Sequence, residues 1–113
     1  MATLQTFGMT GSPAVTFPAN RQPIVETLSV QVDVSPPGSK LEAFVNYTSA
    51  GQNVSLFVPL TYAYTEPGTN FDFHVAALAV RLYPDKGTAM VVSIHSPTGH
   101  GGTLFLTVSG QFA

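Results

Sequence analysis

The stretch Leu28-Ser29-Val30-Gln31-Val32-Asp33-Val34 places an apolar residue at every second position and a polar one between each pair. Successive side chains of a strand point to opposite faces, so a period of two reads as a half-buried β-strand. Pro36-Pro37-Gly38 stops it, because proline brings no ladder donor and glycine accepts positive φ.

The same period recurs downstream with apolar residues on both faces. Leu41, Ala43, Val45 and Tyr47 alternate with Glu42, Phe44 and Asn46; Val54, Leu56, Val58, Leu60 and Tyr62 alternate with Ser55, Phe57, Pro59 and Thr61. The two runs predict a hairpin, Leu41–Thr48 with Asn53–Tyr64, turning at Ser49-Ala50-Gly51. Pro59 points to an edge position or a bulge, and Glu66-Pro67-Gly68 suits a type II turn.

Phe71–Tyr83 contains Val75-Ala76-Ala77-Leu78-Ala79-Val80, whose alanines would also suit a short helix. Its apolar heart is short, flanked by aromatic and β-branched residues and closed by Pro84-Asp85-Lys86-Gly87, so a strand is preferred. Thr88–His95 and Thr103–Phe112 read as the last two strands, joined by an exposed, mobile, glycine-rich loop over Ser96–Gly102. Leu4–Phe7 and Ala14–Phe17 read as weaker strands near the start.

About seven or eight short strands between turn clusters predict an all-β, antiparallel β-sandwich, jelly-roll-like, with a small β-barrel as the alternative. The 113 residues are expected to form one domain, 1–113, with 1–20 as a partly flexible arm.

Only 9% of the residues are charged, against about 25% in an average domain. Four scattered cations do not make the basic stripe that phosphate binding needs, so no nucleic-acid partner is expected. The absence of cysteine removes disulfides, thiolate metal sites and a cysteine nucleophile. No run approaches the ~20 apolar residues of a membrane span, and Met1–Met9 has no basic, then apolar, leader pattern. The chain therefore reads as soluble with no visible signal peptide. Its localisation stays open; small size, few charges and no cysteine suit a virion-associated protein.

Chemistry has few places to sit. Asp72 and His74 are two apart on one expected strand and so share a face; His95 or His100 would complete an Asp-His-His metal site if the strands were neighbours. Ser93, His95 and Asp72 allow a hydrolytic triad to be drawn, but no G-x-S-x-G elbow is present. No enzyme activity and no cofactor are expected. Tyr64, Asn70 and Asp72 supply the aromatic platform and polar groups of a lectin-like carbohydrate site. Phe44, Phe57, Leu78, Val80 and Leu82 make their strands apolar on both faces, more than a two-layer sandwich with one interior needs. These five residues are expected to form an interface. The leading expectation is a non-catalytic structural or assembly module that self-associates or docks on a larger particle such as a virus or phage capsid. A lectin-like module comes second and a metal-assisted enzyme around Asp72, His74 and His95 third.

Overall fold

In the computed structural model of the chain, residues 5–113 are described, so Leu4, the expected start of the first strand, lies outside the described residues. The alternating stretch at 28–34 is the middle of a 13-residue strand that holds the centre of a five-stranded sheet. Its even-numbered residues Leu28, Val30, Val32 and Val34 are buried, while Ser29, Gln31 and Asp33 face outward.

The described residues form nine strands and no helix: β1 (Gln5–Gly11), β2 (Ala14–Thr16), β3 (Pro23–Ser35), β4 (Glu42–Ser49), β5 (Gln52–Val58), β6 (Thr61–Thr65), β7 (Asp72–Leu82), β8 (Ala89–His95) and β9 (His100–Phe112). They pair in a nested way, β1 with β9, β2 with β8, β3 with β7 and β4 with β5, all antiparallel. The chain is thus a long two-armed ribbon with the β4–β5 turn at its tip. Further antiparallel pairs, β3–β9 and β4–β8, wrap the ribbon on itself. The resulting sheets have the orders β1-β9-β3-β7-β6 and β2-β8-β4-β5, a jelly roll with β6 added at one margin. Both sheets are open, so the sandwich stands and the barrel alternative does not.

The interior lies between the sheets. Val25, Leu28, Val30, Val32, Leu106 and Val108 of the larger sheet meet Val15, Ala43, Val45, Val58, Met90 and Val92 of the smaller one, with Phe17 closing an end.

Two expectations are corrected. The arm expected over Asn53–Tyr64 breaks at Pro59-Leu60: β5 belongs to one sheet and β6 to the other. Proline carries no N–H, so the ladder releases the chain there and it crosses at a corner. The glycine-rich loop is shorter than expected, because Ser35 pairs with His100 and Val34 with Gly101. Gly102 leaves room for the Asp33 carboxylate, which accepts the Thr103 N–H; a Cβ on residue 102 would collide with it. Near the start, β1 pairs along its whole length with β9, and the Phe7 ring stacks on Phe112 and meets Phe17 edge-on.

The ribbon tip is a two-residue turn with positive φ at Ala50 (51°) and Gly51 (75°). Two such residues match the twist of the flanking strands, as in a type I′ hairpin. Asp85 holds the turn, its carboxylate oxygens accepting the Ala50 and Gly51 N–H groups, each at 2.8 Å.

Candidate functional site

Asp72 and His74 stand opposite Val34 and Val32 on the inner face of β7. Asp72 is only 5% exposed. Its carboxylate accepts the Gly38 N–H at 2.7 Å and the Thr65 hydroxyl at 2.5 Å. Having given its one proton to Asp72, Thr65 Oγ1 accepts from the Tyr62 hydroxyl at 2.7 Å. The Thr65 hydroxyl first, then the Gly38 amide and the nearby His74, hold the Asp72 carboxyl below its ordinary range against the opposing effect of burial. The Tyr62 ring meets the His74 ring edge-on at 5.8 Å, and His74 Nε2 is buried without a hydrogen-bond partner. This cluster joins β6, β7 and the β3–β4 turn. Both carboxylate oxygens of Asp72 are occupied by donors of the fold itself, which makes the group a clamp.

His95 does not join it. It lies opposite Glu42 on the exposed outer face of the smaller sheet, whereas Asp72 and His74 face inward from the larger one. Ser93 shares the outer face with His95, and its hydroxyl accepts from Asn46 Nδ2 at 3.0 Å. Neither the Asp-His-His set nor the drawn triad converges, because their members sit in different sheets. Among the described residues no group of three or more His, Cys, Asp or Glu side chains is placed to hold a metal ion.

The carbohydrate candidates also part company. Tyr64 pairs with Phe73 and stacks on its ring at 4.9 Å on the outer side of the larger sheet, one position from the inward-facing Asp72. Asn70 is exposed in the turn that Glu66 and Phe71 close through a backbone hydrogen bond.

The five apolar candidates fall into two groups. Phe44 and Phe57 are cross-strand partners on the outer face of the smaller sheet, their rings edge-to-face at 5.8 Å, with Phe57 55% exposed. Leu78, Val80 and Leu82 face inward and pack against the core, yet stay half-buried.

A further surface escaped the sequence reading. The outer face of the larger sheet carries Thr27, Ser29, Gln31, Ala77, Ala79 and Thr107 around two shallow depressions of about 260 and 320 Å³. Its available signal was the small, uncharged residues at alternate positions, Thr27, Ser29 and Gln31 with Ala77 and Ala79. No helix of the described residues is long and apolar enough to cross a membrane. No protein-family model matches the chain, and no curated protein matches it.

Proposed function

We propose that this chain is a non-catalytic assembly module that covers its uncharged surface with copies of itself or with a larger protein particle, of which a capsid is one example. One observation carries this reading. Residues 43–65 contain no charged side chain, and β5 and β6 within them are the outermost strands, where Phe57, Tyr62 and Tyr64 are each more than half exposed. Large aromatic side chains left exposed along an uncharged margin, here on both sheets, support a reading of protein contact. Capsid and lectin domains both use the jelly roll, so support comes from this surface and not from the fold.

Gentle fractionation tests the proposal. The chain is expected to elute well above 11.9 kDa, either after purification, as a self-assembly, or only in extracts of its native source, as part of a particle. Elution as an 11.9 kDa monomer in both preparations would overturn it.

A further inference from the structure

The backbones of the two sheets come together where β2 lies against β1 and β9 and where β8 lies against β9. β6 pairs with β7 only from Asp72 to Val75. Among the described residues, Ala76–Leu82 therefore has no strand beside it on that margin. β5, seven residues long, is the outermost strand of the other sheet.

These two free edges run alongside each other. Pro59-Leu60 links them at one end, where β5 stops at Val58 and Thr61 pairs with Val75. At the other end, just past Leu82, Ser49 Oγ donates to the Tyr83 carbonyl and Asp85 holds the β4–β5 turn. Between the edges lies an apolar strip, with Val54 and Leu56 contributed by β5 and Leu78, Val80 and Leu82 by β7. All five face inward yet remain half-buried, whereas Leu28 and Val30 at the sheet centre are no more than 2% exposed. The core is thus incompletely covered, and unpaired ladder donors and acceptors flank it on both lips.

We infer that this open side is the docking surface for a second copy of the chain, joined edge to edge. Soluble proteins usually block a free edge with lysine, proline or a bulge. β5 has none of these: Gln52–Val58 is uncharged and proline-free, and it pairs with β4 without a register shift. β6, by contrast, is interrupted between Tyr62 and Tyr64. The only charge on the β7 edge is Arg81, which points outward and donates from Nε to the Tyr83 hydroxyl at 2.6 Å.

A strip whose single charge, Arg81, points outward offers little to a charged partner and little repulsion to its own copy. A two-fold axis normal to the sheets sets β5 against β5 and β7 against β7 in antiparallel pairs, the isologous arrangement of most dimers. Seven residues span about 23 Å. Across the 19–25 Å thickness of the molecule, that strip covers roughly 500 Å² per copy, about 1,000 Å² in all, the lower limit for a specific interface.

This inference rests on the self-association branch of the proposed function, and the experiment separates the two. Sedimentation equilibrium of the wild type is expected to approach twice 11.9 kDa with rising concentration. Hydrogen exchange should then slow at least about tenfold at 52–58 and 76–82 alone. The double variant Ser55→Lys/Ala79→Lys alters two exposed side chains and should keep the monomer's melting temperature while weakening association about tenfold or more. A dimer of unchanged affinity in that variant, with slowed exchange elsewhere, would overturn edge pairing and leave self-association standing. A strict monomer at every concentration would overturn edge pairing, and fractionation of the native source would then decide the assembly reading.

Discussion

Two carboxylates show how single residues hold this fold. Ala50 occupies the left-handed region, where a Cβ costs about 1 kcal/mol, and Asp85 offsets it by accepting two backbone N–H groups. Asp85→Ala should lower stability by about 2–3 kcal/mol, and Ala50→Gly should raise it by about 0.5–1 kcal/mol. Urea unfolding, read as midpoint shifts at constant slope, checks both. Asp72 carries the acid response. Its folded-state pKa lies below the ordinary carboxyl value, mainly through the Thr65 hydroxyl and the Gly38 amide. Its contribution to stability is therefore full above the unfolded carboxyl value, about 3.9, and is lost as pH falls through the folded one. Melting curves recorded from pH 6 to pH 2 should fall less steeply for Asp72→Asn than for the wild type, while the variant melts lower at pH 6. The sequence showed Asp72 and His74 on one face. It did not show that Thr65 and Gly38 would occupy the carboxylate, since those partners lie 7 and 34 residues away.

At the level of strands, legibility followed burial. β3 was plain because one face is buried and the other wet, so the period of two is written in its side chains. β7 was ambiguous because its outer face carries Val75, Ala77 and Ala79; pairing of Leu28 with Leu78 and Val30 with Ala76 decides for the strand. Pro59 announced an interruption but not its form. An edge, a bulge and a change of sheet all remove the same ladder donor. Close backbone approaches were equally hidden. Gly110 sits at the irregularity between Val25 and Thr27, where a Cβ would fall 1.9 Å from the Ile24 carbonyl oxygen. Gly110→Ala is expected to cost about 3 kcal/mol, whereas Gly8→Ala, with open space around it, should stay within about 1 kcal/mol. Thermal denaturation of the pair provides the comparison.

Over the whole molecule, the scarcity of charge shapes behaviour. A surface with ten charged side chains and a net charge of −2 generates little long-range repulsion for salt to screen. Self-association through apolar strips and backbone pairing should accordingly change less than about threefold between low and high salt, as sedimentation across a sodium chloride series would record. A strong loss of association at high salt would instead assign the contact to the few ion-forming side chains. By itself, the sequence determined the all-β class, the positions of most strands and the excess of apolar surface, because period-two burial, turn residues and composition are local properties. Only the tertiary structure decided which strands are neighbours, that His95 is separated from Asp72 and His74, and that Leu78, Val80 and Leu82 line an open edge. Strand order rests on pairings between residues up to 107 positions apart, such as Gln5 with Phe112, and no local pattern encodes which uncharged strand meets which.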